Sequence, residues 1–381
     1  RLRTRARPPR SIVLFATIAL AVFSVVHATI WWRLVGAPGL DGAPEALATT
    51  ALGACFVSVP AALASRAFGA TVPRLVPAVG FRWFGLMFYW FVLSLAAEPL
   101  VWAMTWLAPG APVAQAAAAG VAVVGVALSA YALAGARTPP VKRVDVPIAG
   151  LDPALDGFRI AQLSDVHLGN TIGRDFIEAI VERTNAESVD LVALTGDFVD
   201  GTVASLGPAA APFAQLRSRH GSYFVTGNHE YFSGAGAWCA EFTRLGIRVL
   251  RNEHRTLDHD GARLVVAGVD DPFANEPGHG PDLARALAGR GAGLPVVLLA
   301  HQPVFAEQAA HAGVALMLSG HTHGGQLWPF SLLVRAVQPI LAGLVRVRDT
   351  WVYVSRGTGW WGPPMRLGAP NEITVLTLRR A

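Results

Sequence analysis

Phe158-Arg159-Ile160-Ala161-Gln162-Leu163-Ser164-Asp165-Val166-His167 decides the reading of the fold: a short apolar run that stops at an acid and a histidine. The construction recurs down the chain. Residues 190–194 form an apolar run ending at Thr195-Gly196-Asp197, and residues 223–225 end at Thr226-Gly227-Asn228-His229. Runs at 264–269, 296–299 and 315–318 stop before Asp270, His301 and Gly320-His321. Residues 176–185 carry helical spacing. Strands alternating with helical patterns predict an α/β fold. In such sheets ligands collect outside the carboxyl ends of the strands. The sequence therefore aims several metal-type side chains at one sheet edge.

Upstream of residue 137 the character changes. The 381-residue chain is 52% apolar and only 15% charged, against about 25% charged in ordinary globular proteins. The excess lies in four apolar segments, at about 11–32, 46–63, 83–107 and 113–134. Each approximates the ~20 residues that carry a helix across a bilayer. The first lacks a small-residue cleavage site and reads as retained. Arg1, Arg3, Arg5, Arg7 and Arg10 precede it, so this basic cluster reads as a topology signal rather than a nucleic-acid contact. Arg66, Arg74 and Arg82 follow the second segment, and Arg137, Lys142 and Arg143 follow the fourth. Arg33 alone follows the first, and no basic residue follows the third. That bias puts both ends on the cytoplasmic side. His27 and Glu98, ionisable residues inside these segments, are either functional or paired with polar neighbours. Residues 117–120 and Gly125 read as small-residue packing surfaces. Two cysteines, Cys55 and Cys239, imply no disulfide framework. The expected organisation is a membrane region at 1–137, a linker with an edge strand at 138–156, and a soluble domain at 157–381.

Five blocks carry the chemistry: Asp165-Val166-His167, Gly196-Asp197, Gly227-Asn228-His229-Glu230, His301, and Gly320-His321-Thr322-His323-Gly324-Gly325. Asp165 and His167 are two apart, so on an extended strand end both face one side, and His321 and His323 repeat that spacing. Together the blocks offer seven ligands of mixed nitrogen and oxygen type, enough for two divalent ions. Their glycines permit tight turns and close approach of a phosphate. His220, His254, His259, His279 and His311 fall outside every block and read as surface residues.

The order and spacing of these blocks resemble the calcineurin-like metallophosphoesterase family, and in particular a bacterial branch that joins such a domain to N-terminal membrane helices. The resemblance implies a two-sheet β-sandwich flanked by helices, behind a four-helix transmembrane region. It also implies hydrolysis of a phosphodiester, phosphomonoester or pyrophosphate by a metal-bridging hydroxide. By the same resemblance, Asp165, His167 and His323 hold one ion, Asn228, His301 and His321 hold the other, and Asp197 bridges them. The resemblance also implies that His229 binds no metal but faces the substrate, as general acid or as a charge stabiliser. Ser164 stands where many members have glycine, and Asp200 supplies a second acid after Asp197. The ions implied are Mn²⁺, Fe or Zn²⁺, since a mixed site does not select among them. The setting implied is a bacterial inner membrane, with the catalytic domain cytoplasmic.

The substrate is less legible. Trp328-Pro329-Phe330-Ser331-Leu332-Leu333-Val334, a second apolar stretch at 339–345, and Trp360-Trp361-Gly362 follow the last histidine pair. Two readings stand. Either these residues dip into the bilayer interface, with a lipid-linked phosphoester as substrate and membrane lipids as partners, or they are core. Arg366 and Arg356 are candidates for clamping a phosphate oxygen. A catalytically inactive sensor built on the same domain is the competing class. Loss of ligands would mark it, and all seven are present. No nucleic-acid partner is expected.

Overall fold

The structure is a computed structural model that describes residues 10–68, 72–73, 75–274 and 279–381. Arg1, Arg3, Arg5, Arg7 and Arg74 of the topology argument lie outside the described residues. The chain forms two compact units. One comprises residues up to Leu63 together with Val79–Tyr131, and the other comprises Ala64–Ala78 and Ala132–Ala381.

Among the described residues, four helices are long and apolar enough to cross a bilayer: α1 (Arg10–Trp31, extended by a π-helical turn to Gly36), α2 (Gly42–Phe68), α3 (Leu75–Leu107) and α4 (Val113–Gly135). They mark an integral membrane protein. Their outward side chains are apolar, Leu20, Val57, Leu100 and Val123 among them, as contact with hydrocarbon requires. At 1.5 Å per residue α3 is about 50 Å long, so it extends well beyond the run expected from 83. Both α2 and α3 continue through an internal proline, Pro60 and Pro99. Within the first unit, Gly125 lies against the Trp90 indole, whereas Gly120 faces open space. Arg33 is not a loop residue. It is buried in the π-helical turn and donates to Glu98. His27 accepts from Trp83 Nε1 at 3.1 Å. Both ionisable groups therefore have polar partners.

The second unit is built on two mixed six-stranded sheets flanked by helices. The first contains β1 (Val141–Ile148), β2 (Arg159–Leu163), β3 (Leu191–Thr195), β4 (Ser222–Val225), β5 (Arg248–Val249) and β12 (Ile373–Arg380), in the order β1-β12-β2-β3-β4-β5. The second contains β6 (Glu253–His259), β7 (Ala262–Gly268), β8 (Val296–Leu299), β9 (Leu316–Ser319), β10 (Gly343–Val347) and β11 (Thr350–Val354), in the order β10-β11-β9-β8-β7-β6. Strands β2 through β5 run parallel, as do β7, β8, β9 and β11.

Alternation explains why the central strands read as continuous apolar runs. Leu191 and Ala193 enter the core between the sheets, with Val297, Leu299, Leu316 and Leu318 opposite. Val192 and Leu194 point the other way, toward α5 (Arg174–Ala186) and α8 (Ala235–Arg244), where Ile177, Ile180, Trp238 and Phe242 meet them. On the second sheet, Val296 and Leu298 pack outward onto α9 (Leu283–Leu287) and α10 (Ala306–His311). The remaining helices are α6 (Val203–Ala210), α7 (Asn228–Ser233) and α11 (Phe330–Val337). Lys142 and Arg143 lie in β1 and pair with Glu372 and Glu187, so they serve the sheet as well as the charge bias. His259 is buried rather than superficial, and its Nδ1 lies 3.0 Å from His220 Nε2.

Candidate metal centre

Five parallel strands deliver the site. Asp165 and His167 follow β2, Asp197 follows β3, Asn228 and His229 begin α7 after β4, His301 follows β8, and His321 and His323 follow β9. Both sheets thus contribute from the same edge of the sandwich. The two-residue pairs do not sit on extended strand ends. Asp165 and His167 have φ of 52° and 54°, Asp197 56°, and His321 and His323 70° and 50°. Both members of each pair take left-handed φ, and between His321 and His323 the chain passes through a right-handed Thr322 at φ −81°, ψ −19°.

The side chains converge. His167 Nε2 lies 3.0 Å from His323 Nε2, which is 3.4 Å from Asp165 Oδ1. His301 Nε2 lies 3.1 Å from Asp197 Oδ2, and His321 Nδ1 is 3.1 Å from Asn228 Oδ1. Asp165, His167 and His323 form one group able to hold a metal ion; Asp197, His301 and His321 form another; His167, Asp197 and His229 form a third. His229 thus stands among the candidate ligands as well as beside them.

The donor set fits cations. His301 Nδ1 donates to Thr195 O at 2.7 Å, which leaves Nε2 as a lone pair. That atom is buried without a hydrogen-bond partner and faces a carboxylate oxygen. Two electron-rich atoms this close call for a positive charge between them, and a backbone carbonyl fixing the far nitrogen is the usual support of a metal-binding imidazole. Burial alone would raise the Asp197 carboxyl, but the His301 and His229 imidazoles reverse this and hold it below the usual carboxylate range. Burial would lower His301, yet the Asp197 and Asp165 charges raise it well above the ordinary imidazole value. The field that draws a proton there also draws a metal ion. His321 is pushed down to about 4 by burial and by His301, which keeps it neutral, as a ligand must be.

His229 differs. Its Nδ1 lies 2.5 Å from Asp200 Oδ1. Burial would lower its pKa, but Asp197 and Asp200 outweigh that and raise it to about 9. These two carboxylates favour its protonated form. Asp200 Oδ1 is also 3.3 Å from His167 Nδ1, so one carboxylate orients both rings. Glu230, fully buried, accepts from the backbone N–H groups of Gly227 at 2.7 Å, Asp197 at 2.9 Å and Phe198 at 2.7 Å. It ties the β3 and β4 loops together. Neither role emerged from the sequence, although Asp200 stands three residues after Asp197 and Glu230 closes a block already singled out.

Arg366 is not placed to clamp a substrate. It is buried, and Nη1 donates to His323 O at 3.0 Å, Arg356 O at 2.6 Å and Ala369 O at 3.3 Å. Nη2 donates to Gly359 O and approaches His323 Nδ1 at 3.1 Å. The guanidinium braces the loops behind His323 instead. Arg356 pairs with Glu372 at 3.2 Å. Close backbone approach leaves no room for side chains at two glycines: a methyl at Gly320 would overlap the Asp165 carboxylate, and one at Gly227 the Asp197 carboxylate.

A helix-flanked sandwich with a histidine–aspartate metal site on its strand ends defines a protein of the metallophosphoesterase type. The calcineurin-like phosphoesterase family matches residues 158–325. A transmembrane protein with metallophosphoesterase domain from Bos taurus is 43% identical over 268 residues, 67% of this chain and 60% of that protein. An uncharacterized metallophosphoesterase from Helicobacter pylori is 39% identical over 248 residues, 64% of this chain and 65% of that protein. One from Aquifex aeolicus is 33% identical over 225 residues, 58% of this chain and 85% of that protein. The chain belongs to the calcineurin-like metallophosphoesterase family. It spans 60% of the length of the Bos taurus relative, and the similarity reaches animal proteins, beyond the bacterial branch expected from sequence.

Proposed function

We propose that the protein is a membrane-anchored, metal-dependent phosphoesterase that hydrolyses a lipid-linked phosphodiester, phosphomonoester or pyrophosphate. The observation that carries the hydrolase reading is the convergence of seven side chains from five strand ends, with His301 Nε2 buried and unpartnered beside Asp197. Asp165, His167 and His323 would hold one ion, Asn228, His301 and His321 a second, with Asp197 shared. Two divalent ions, of which Mn²⁺, Fe and Zn²⁺ suit mixed ligands, would offset phosphoryl charge and acidify a water for attack. His229, oriented by Asp200, gives its proton to the departing oxygen. The arginine bias supports a cytoplasmic catalytic unit, in a bacterium at the inner membrane.

Helix α11 supports the lipid-linked part. At 100° per residue, Leu332, Ala336, Leu333, Val337 and Phe330 occupy a continuous arc of about 160°. All five are exposed. The packed side is Ser331, which fits against Gly325, and Val334. An exposed apolar helix seven residues after His323 suits a bilayer interface.

The test uses the full chain in nanodiscs with Mn²⁺, Fe²⁺ or Zn²⁺. Hydrolysis of a soluble aryl phosphodiester that falls at least about 1,000-fold in Asp197→Ala supports the hydrolase reading. Wild-type protein that neither binds metal nor turns over any phosphoester sinks it. Equal efficiency on soluble and phospholipid-type substrates counts against the lipid-linked part alone.

A further inference from the structure

Three exposed aromatic rings from three separate segments gather around His229. Phe232 lies on α7 with its ring centroid 5.6 Å from that of His229. Phe273, in the loop after β7, lies 5.6 Å beyond Phe232. Trp361, in the loop after β11, lies 6.5 Å from His229. Their exposures are 67%, 51% and 43%. Large rings left in water beside a reactive group mark a contact surface rather than core.

The backbones beneath two of the rings are fixed by neighbours of the candidate ligands. Gln326, three residues after His323, donates from Nε2 to Trp361 O and accepts at Oε1 from Trp361 N, each at 2.9 Å. Gln302, adjacent to His301, donates to both Asp271 oxygens at 3.1 and 3.0 Å, and Asp271 Oδ1 accepts from Phe273 N at 2.9 Å. The rings are thus preorganised on supports that also hold the site, which lowers the ordering cost of binding.

Their mutual geometry selects a ligand class. The interplanar angles are 80° for Phe232–Phe273, 73° for His229–Phe232 and 77° for His229–Trp361. Each of these three neighbouring pairs meets edge to face, so none of the three opens a flat slot between parallel rings. Ring edges and faces meeting at right angles make a ridged apolar wall, which a flexible chain follows.

We propose that Phe232, Phe273 and Trp361 form an apolar subsite flanking His229 that receives the alkyl part of the departing alcohol. The proposal rests on the phosphoesterase reading above. In that reaction water adds to phosphorus and sheds a proton to solvent, the bond from phosphorus to the alkyl-bearing oxygen breaks, and the alcohol leaves with the proton from His229, which solvent then restores. The subsite sets the alcohol beside its proton donor.

The experiment measures kcat/KM of the full chain in phosphatidylcholine nanodiscs with Mn²⁺. The substrates are n-alkyl phosphates and methyl n-alkyl phosphates of one to eight carbons, kept below aggregation and followed by alcohol release. In the series that is hydrolysed, wild type is expected to gain about twofold per methylene over the first several carbons, less than the roughly fourfold of complete burial. In Phe232→Ala/Phe273→Ala/Trp361→Ala the octyl-to-methyl ratio falls toward one. In Phe232→Leu/Phe273→Leu, which keeps hydrocarbon without rings, most of the ratio survives. A wild-type ratio near one, or an unchanged ratio in the triple variant, overturns the subsite and leaves the phosphoesterase reading standing. A ratio lost equally in the leucine variant overturns it in favour of ring stacking. No turnover of any ester with any metal sinks both readings together.

Discussion

Replacing Gly227 by alanine tests whether the loop between β4 and α7 sets the position of Asp197. The backbone itself tolerates alanine, since Gly227 has φ −104° and ψ −174°. Any effect must come from the methyl group. A Cβ built there lies 2.6 Å from Asp197 N and 2.9 Å from Asp197 Cγ. Ordinary contact between such atoms is about 3.5 Å, and Asp197 Oδ1 lies closer still, so the two loops must part by roughly 0.9 Å or more. They cannot part freely, because Glu230 holds Gly227 N and Asp197 N to one carboxylate. The displacement therefore falls on Asp197 relative to Asn228 and His229. Misplacement by about 1 Å costs on the order of 100-fold in rate, and overpacking of this kind destabilises by about 1–3 kcal/mol. The assay is kcat/KM on a soluble aryl phosphodiester in Mn²⁺, with bound metal measured by mass spectrometry. Gly173→Ala is the control, with φ −113° and nothing within 4 Å of its Cβ. We expect Gly227→Ala to lose about 100-fold and part of its metal, and the control to keep wild-type values. Full metal content and activity in Gly227→Ala would show that Asp197 does not need the geometry described.

Asp200→Asn removes the charge that orients His229 and His167, and should lower kcat/KM by about 10–100-fold, as loss of an outer partner of a metal ligand does; an unchanged rate rejects that role. Arg366→Lys leaves several buried carbonyls without their donor and should destabilise by about 2–4 kcal/mol with loss of bound metal, read by denaturant unfolding and metal analysis. A raised KM at unchanged stability would instead restore the substrate-clamp role. Leu333→Glu puts a charge on the exposed arc of α11. It should lower turnover of bilayer-borne relative to soluble substrate by about tenfold, as the loss of interfacial apolar area predicts; an unchanged ratio argues against membrane contact through that helix.

The strand ends were legible because each central strand must be apolar on both faces, so its run breaks visibly where Asp165, Asp197, Asn228, His301 and His321 begin. Pairing order was not legible. Strand β12 lies between β1 and β2, parallel to one and antiparallel to the other, and nothing in the local pattern of 373–380 states which neighbours it will find. Arg366 misled for a related reason. A guanidinium near glycines and tryptophans suits a phosphate as well as the four backbone carbonyls it meets here, and only burial separates the two. Residues 330–337 left two readings open because an apolar run does not say what it meets.

The conformation of the ligands carries a further signal. Gly196, Gly324 and Gly357 take left-handed φ at the site, as glycine does without cost. Asp165, His167, Asp197, His321 and His323 take it with a side chain, at about 1 kcal/mol or more each. Glycine would be conformationally cheaper at all five positions. Five such positions within one cluster are hard to reconcile with a purely structural role, since strain of this kind persists only where surrounding packing enforces it. Here the enforcement is visible: Asp165 N, His167 N and Leu168 N donate to Gly196 O, Asp197 O and Phe198 O, zipping the β2 loop to the β3 loop. The backbone holds an unfavourable shape so that Asp165 and His167 from one loop and Asp197 from the other face the same region. That arrangement is what binding a cation would require, and the strain it stores is the part of the site that spacing in a sequence cannot express.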